Sequence, residues 1–491
     1  MADLLSRVLP VAGMGLAACL LMLLSAVIRR GRTIGFVALA ALLLLGGAPI
    51  ILLWGHAGRP IPESIPPALL SSDGLALFFD GLFVLAAALV AVLSLDYFEK
   101  KESHHAELYG LIALSATGMM VLASATNLIT FYLGLETMSI AFYVLAGFLR
   151  SHQNSVEASL KYFLLGAFSS AFLLLGMAFL YGSSGSLDFG GLAAAFSTGI
   201  YPLGEPALLL GFFLFLVGLF FKLSLIPFHF WAPDVYQGSP TPITALMAVG
   251  GKTAAAAGAI RIFLSSFAAN PLLAGKWLIL FTGVGLLSIF VGSMVALTQR
   301  HMKRLLAYSS IVHAGFLALG IGALAVPGIS KAVLEALLFY LAAYLFMNVG
   351  AFAVAAIVER KPSHDETLLT YSGLASGSPW LAALLSLFMF SLAGIPLTAG
   401  FLGKFYLFRA LVNGGFYWIA ALGLVGAVIA TYYYLKVVVA LYFSPPPEEP
   451  NQRLPVGTAS RIALAVAAFL TLCFGVFPGL LMGLISGLGI G

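Results

Sequence analysis

Lys222, Lys252 and Lys404 stand deep in apolar sequence: LLLGFFLFLVGLFF precedes the first, TAAAAGAI follows the second, and AGIPLTAGFLG leads into the third. Glu136 lies at the middle of FYLGLETMSIAFYVL. A charged side chain at a bilayer centre costs about 2.5–3.5 kcal/mol even on the lenient insertion scale, so such residues face hydrated interiors and mark ion pathways. Burial penalises the charged form of amine and carboxyl alike, while attraction between opposite charges works against that penalty. Groups balanced in this way can take up and release protons, and a row of them joined by water is a proton path. His229 in IPFHFW and His313 in SSIVHAGF suit the same chemistry, although a single buried histidine is equally accounted for by ordinary hydrogen bonding. Lys161, one turn into its apolar run, fits a relay or an interfacial position alike. Lys436 lies within a turn or two of a helix end and can snorkel to the surface.

The elements that hold these residues are membrane helices. The 491 residues are 61% hydrophobic and 9% charged, with a mean hydropathy of +1.05, whereas a soluble globular chain carries about 25% charge. The 53 glycines suit the close approach of membrane helices. Unbroken apolar runs of about 20 residues exclude a β-barrel, whose strands alternate over about ten. The chain therefore reads as an all-α polytopic membrane protein. Its fourteen spans lie near 8–28, 33–54, 73–95, 107–124, 127–149, 157–181, 205–230, 240–264, 275–297, 305–326, 331–357, 379–411, 416–441 and 459–485. With the N-terminus outside, the inner loops hold Arg29, Arg30, Arg32, Lys100, Lys101, Arg150, Arg300, Lys303, Arg304, Arg360, Lys361, Arg453 and Arg461. The outer side holds Arg7, Arg59, Arg261, Lys276, Lys331 and Arg409. Basic residues mark the cytoplasmic side, so both termini are expected outside. The basic pI of about 9.1 is then a topology signal rather than one for nucleic acid.

The seventh and twelfth spans each carry Ile-Pro in mid-membrane, at Pro227 and Pro396. Each proline removes a backbone donor and displaces the carbonyl four residues back, Leu223 and Leu392. The freed groups need protein or water rather than lipid. The two breaks are five spans apart, and a tandem repeat of an odd number of helices inserts upside down. Helices 4–8 and 9–13 are therefore expected to be inverted repeats with discontinuous helices 7 and 12, as in many secondary transporters. The expected organisation is three leading helices in 1–105, the first repeat in 106–265, the second in 266–443, and a loop with the final helix in 444–491. The proline-rich, charged stretch 444–455 reads as a linker. LAAC at 16–19 resembles a lipoprotein box, but its apolar run continues to Ile28 as a full span does. Cys19 and Cys473 supply neither a disulfide framework nor an iron–sulfur ligand set.

LGLETMSIAFYVLAGF, EASLKYFLLGAFSSAFLLLGMAFLYGSSGSL, FKLSLIPFHFWAPDVYQGSPTPITALMA, LLAYSSIVHAGFLALG and AGIPLTAGFLGKFYLF together resemble the antiporter-like membrane subunits of respiratory complex I. The likeness is most specific to their N-type branch, the counterpart of mitochondrial subunit 2. The resemblance implies a proton-translocating subunit of an NADH:quinone oxidoreductase in the bacterial inner membrane, beside K-type and M-type membrane subunits. It implies no cofactor in this chain, the NADH, flavin, iron–sulfur and quinone sites belonging to other subunits. It also implies that Glu136 is the charged residue of the fifth helix, partnered by Lys222 on the seventh, with Lys252 central to the eighth, Lys404 on the twelfth and Lys161 on the sixth. Thr137 and Gly251 depart from the family pattern, which has an aliphatic residue at the first place and a bulkier one at the second. A Mrp-type cation/proton antiporter subunit is the alternative. A passive scaffold would gain nothing from four ionisable groups in mid-membrane.

Overall fold

The computed structural model describes residues 2–28, 31–54, 69–100, 106–359, 367–445 and 454–489. Arg29, Arg30, Arg59, Lys101, Arg360, Lys361, Arg453 and most of the expected linker lie outside the described residues. The described chain is helical, with three isolated β-bridges and no strand.

Among the described residues, thirteen helices are long and apolar enough to cross a membrane. The remaining crossing is the twelfth in order. It is built from two halves, Pro379–Ala393 and Ala399–Asn413, neither of which alone spans the roughly 30 Å apolar core. Fourteen crossings therefore follow one another as the hydropathy pattern lays them out, and their even number brings both ends to one face, here called the terminal face. The eleventh crossing, Ser330–Val358, is buried along its length, and the third, Gly74–Glu99, eighth, Thr241–Ala269, and tenth, Met302–Ala323, are nearly so. These four form the core. The sixth, Gln153–Ser184, and ninth, Pro271–Thr298, turn most of their surface outward.

Matched details recur five crossings apart. The fifth crossing, Leu128–Ala146, begins beside Asn127, which bridges to Asp188 just beyond the sixth. The tenth begins beside His301, which bridges to Thr367 beyond the eleventh. The first bridge lies on the terminal face and the second on the far face, as an upside-down copy requires. Helix contacts repeat as well. A Cβ on Gly118 of the fourth crossing would lie 2.8 Å from the Gly134 carbonyl oxygen of the fifth, and one on Gly285 of the ninth would lie 3.0 Å from that of Gly315 of the tenth. Glycine at both places lets the backbones touch.

The seventh and twelfth crossings are both broken, and their first halves end alike. Ser224 and Gly394 take left-handed backbone, φ 57° and 89°. The next amides, of Leu225 and Ile395, each donate to the carbonyl of a phenylalanine five residues back, Phe220 and Phe390, at 2.9 Å. This is a Schellman-type ending.

Three details depart from a plain reading of the hydropathy pattern. The seventh helix, Glu205–Leu223, ends before Pro227 and resumes as Trp231–Gly238, so Lys222 stands in the last turn of its helix rather than inside it. Glu136 is not the only carboxylate deep in a span, because Asp80 is buried in the third crossing with 2% of its surface exposed. The final crossing is not continuous over 459–485: Thr458–Val476 stops before Pro478, and a second helix covers Pro478–Ser486, since proline cannot donate within the ladder.

Candidate functional site

Glu136 sits midway along the fifth crossing, where the Ser170 hydroxyl of the sixth donates to its Oε1. One turn further on, Ser139 receives the Lys222 ammonium at 2.7 Å, and the Tyr143 hydroxyl takes a longer bond from it at 3.4 Å. Lys222 and Glu136 act on each other electrostatically, but no ion pair joins them among the described residues. Ser139 stands between. The aromatic rings of Tyr143, Tyr162 and Phe221 surround the ammonium at 5.6–5.8 Å, within cation–π range.

Lys252 begins the second α-helical part of the eighth crossing, immediately after the π-helical turn Met247–Gly251 that follows the short helix Thr241–Leu246. It lies 11 residues from Thr241, hence about 16 Å into the membrane at 1.5 Å per residue. Its Nζ is buried without a hydrogen-bond partner among the described residues, over the Tyr236 ring at 6.0 Å. The Tyr236 hydroxyl, the Thr253 hydroxyl and the Asn348 carbonyl oxygen are likewise buried and unpartnered. Buried polar atoms are normally satisfied, and ordered water is the partner that such a buried ammonium would take.

His313 on the tenth crossing is fully buried. Its Nδ1 lies 2.6 Å from the Tyr340 hydroxyl and its Nε2 3.1 Å from that of Tyr434, which in turn lies 2.5 Å from Ser309 Oγ. The charges of Lys404 and Lys252 both act on this ring. Lys404 is buried in the second half of the twelfth crossing, and its ammonium donates back across the break to the carbonyls of Leu392 and Ala393 at 2.8 and 2.9 Å. The carbonyl that Pro396 frees is therefore satisfied by the lysine itself, at the negative end of a helix dipole. At the other break the Trp231 indole donates to Phe221, and the Ile226 amide donates to Ser288 Oγ.

Lys161 stands apart from this row. Its half-exposed ammonium pairs with Asp234 at 2.8 Å and Glu157 at 2.7 Å, and Arg304 pairs with the other oxygen of Asp234. This is a far-face ion network around a cavity of about 140 Å³. His229 is half-buried in the seventh break beside Tyr308, within reach of the Lys252 charge. Pro227 and Pro396 are themselves exposed on the outer surface of the helix bundle.

Sequence reasoning missed the tyrosines around His313, which read as core in an apolar run. It also missed Asp80, although FFDGLF carried the signal. Arg261, counted above as an outer-loop charge, is buried: its guanidinium makes two hydrogen bonds of 2.7 and 2.8 Å to Asp73 and a third to the Ala123 carbonyl. Burial alone would raise the Asp73 pKa, but the Arg261 charge and hydrogen bonds outweigh it and hold the carboxyl below its ordinary range.

Residues 125–430 match the family described as NADH:quinone oxidoreductase/Mrp antiporter, TM. A relative from Trichlorobacter lovleyi named NADH-quinone oxidoreductase subunit N is 41% identical over 453 residues, 91% of this chain and 89% of that one. A chain of respiratory complex I from Thermus thermophilus, solved with bound aureothin, superposes with a TM-score of 0.79 at 35% identity, over 96% of this chain and 98% of its own. A chain of the Mrp complex from Dietzia sp. shares the fold, with a TM-score of 0.82 at 21% identity over 99% and 97% of the two chains. The chain thus belongs to the antiporter-like membrane subunits of the NADH-quinone oxidoreductases, in the subunit N branch.

Proposed function

We propose that this chain carries protons across the membrane arm of a complex I-type enzyme through Glu136, Lys222, Lys252, His313 and Lys404, driven by quinone reduction in other subunits. The observation that carries this reading is the Lys252 ammonium at mid-membrane, buried without a hydrogen-bond partner among the described residues, with His313 under the charge of both it and Lys404. A proton taken up near Glu136 and Lys222 passes by water to Lys252. Recharging one lysine repels the charge on the next, so transfer through His313 to Lys404 releases a proton from the second unit. Lys161 and His229 serve as flanking groups at the far-face ion network and the seventh break. Division of the units near 265 and 443, both termini outside the bacterial plasma membrane, and K-type and M-type neighbours complete the reading. NADH, flavin, iron–sulfur and quinone chemistry is assigned to those other subunits, and no cofactor to this one.

The test is proton uptake by vesicles holding the whole complex, energised with NADH and a quinone. Glu136→Gln and Lys252→Met are expected to assemble while lowering uptake and turnover together. Wild-type uptake in both variants would refute the path. A Mrp-type exchange function predicts instead that turnover requires sodium, and sodium-independent uptake excludes it.

A further inference from the structure

Asp80 has no part in the path just described, yet it is among the most deeply buried carboxyls in the chain. It stands seven residues after Asp73, two helical turns along the same face of the third crossing. Asp73 caps that crossing, its Oδ1 accepting from the Ala76 amide at 2.8 Å. The Asp73 side chain is 41% exposed and that of Arg261 6%, so the ion pair closes the terminal face above Asp80. The Arg261 charge acts on both carboxyls.

Two observations separate Asp80 from a plain counter-ion. Its Oδ1 is buried with no hydrogen-bond partner among the described residues, an arrangement that an ionised oxygen does not tolerate without a donor. Its neighbour Gly81 leaves open space, for a Cβ there would meet nothing within 4 Å. The depth is also telling. Asp73 and Arg261 tie their two helices together at one level; Asp80 lies about 10 Å below it and Lys252, nine residues before Arg261 on the eighth crossing, about 13 Å below. The third crossing packs against both the eighth and its π-helical turn, so a carboxyl and an amine lie within about 3 Å of one depth on touching helices.

We propose that Asp80 is a proton-carrying carboxyl that exchanges protons between the level of Lys252 and the terminal face, with the Asp73–Arg261 ion pair as its gate. The proposal rests on the proton-conducting reading above. Oδ1 gains a proton from water on the inner side and loses it to water admitted when Arg261 shifts. With Asp80 protonated, Arg261 and Asp73 balance; with Asp80 ionised, the three groups carry one net negative charge, which draws the next proton in.

The experiment uses the whole complex in vesicles, with proton uptake and quinone-linked turnover read in the wild type, Asp80→Asn and Asp80→Glu. Asp80→Asn should assemble and lose several-fold in both rates, and Asp80→Glu should recover most of them. In parallel, the wild-type complex is treated with dicyclohexylcarbodiimide, which reacts with protonated carboxyls in apolar surroundings, and its peptides are analysed by mass spectrometry. An adduct on Asp80 is expected, because a permanently ionised counter-ion would not react. Wild-type rates in assembled Asp80→Asn overturn the proposal. So does an unlabelled Asp80 in a sample whose Glu136 is labelled, and that result decides the matter even where Asp80→Asn fails to assemble. A wild-type complex that turns over without moving protons would instead sink the parent reading.

Discussion

Lys252 and Lys404 are both buried amines in mid-membrane, and the structure gives them opposite energetic roles. The Lys252 ammonium makes no hydrogen bond among the described residues, so removing it orphans nothing and relieves a cost of about 2.5–3.5 kcal/mol. Lys252→Met is therefore expected to raise the melting temperature of the complex while abolishing proton uptake; lowered stability would mean the ammonium has a structural partner. Lys404 donates to two carbonyls, each of which costs about 1–3 kcal/mol when left unpaired. Lys404→Met should destabilise visibly, whereas Lys404→Arg keeps donors for both. Arginine, with a pKa above about 12, does not release its proton. Lys404→Arg should thus restore the melting temperature but leave uptake at least about tenfold down, the scale of a lost proton-transfer group, while the exposed Lys436→Arg should be silent. Full uptake in Lys404→Arg would make Lys404 a fixed charge. The four mid-membrane charges were legible in the sequence because lipid gives them no alternative. Their distinction was not, since it depends on which carbonyls a broken helix leaves free, and the seven-residue spacing of Asp73 and Asp80 shows nothing until Arg261 is placed beside it.

At the scale of elements, the two breaks share a backbone ending but not a lysine position. Phe220 and Phe390 accept the same bond, so Lys222 corresponds to Leu392, and Lys404 enters from beyond the break. Counting from the bridged residues Asn127 and His301, Ser139 and His313 both fall twelve residues on. The position that receives Lys222 in one unit is thus the central histidine of the other. A repeat with one backbone plan and different polar residues gives two connected but unequal halves. The Ile-Pro pair announced both breaks from sequence alone, yet it put the seventh one three residues late, because Ser224 turns left-handed before Pro227 has any effect. The helix contacts make a second test. Gly118→Ala would press its Cβ to 2.8 Å from the Gly134 carbonyl oxygen, and such overpacking costs about 1–3 kcal/mol. Gly283→Ala on the ninth crossing meets nothing within 4 Å and gains helix propensity. Thermal unfolding in mild detergent should show a lowered midpoint for the first and an unchanged or raised one for the second, and equal midpoints would deny the close fourth–fifth contact.

Across the whole molecule, the question is which way the fourteen crossings run. The hydropathy pattern gave their number and order, but it counted Arg261 as an outer-loop charge when that residue is buried against Asp73. Among the described residues the far face keeps Arg32, Lys100, Arg150, Arg300, Lys303, Arg304 and Arg461, and the terminal face keeps Arg7, Lys276, Lys331 and Arg409. Setting Arg261 aside therefore sharpens the asymmetry on which the proposed cytoplasmic placement of the far face rests. The inverted units do not decide the matter, because an upside-down copy looks alike from both sides. The loop charges alone carry it. In a Cys19→Ser, Cys473→Ser background, Ser197→Cys beyond the sixth crossing and Thr298→Cys at the end of the ninth lie on opposite faces, and both positions are exposed. A membrane-impermeant maleimide added to intact cells should label Ser197→Cys and spare Thr298→Cys until the cells are opened. The reverse pattern would invert the molecule, and the Asp73–Arg261 gate would then face the cytoplasm and serve proton uptake rather than release.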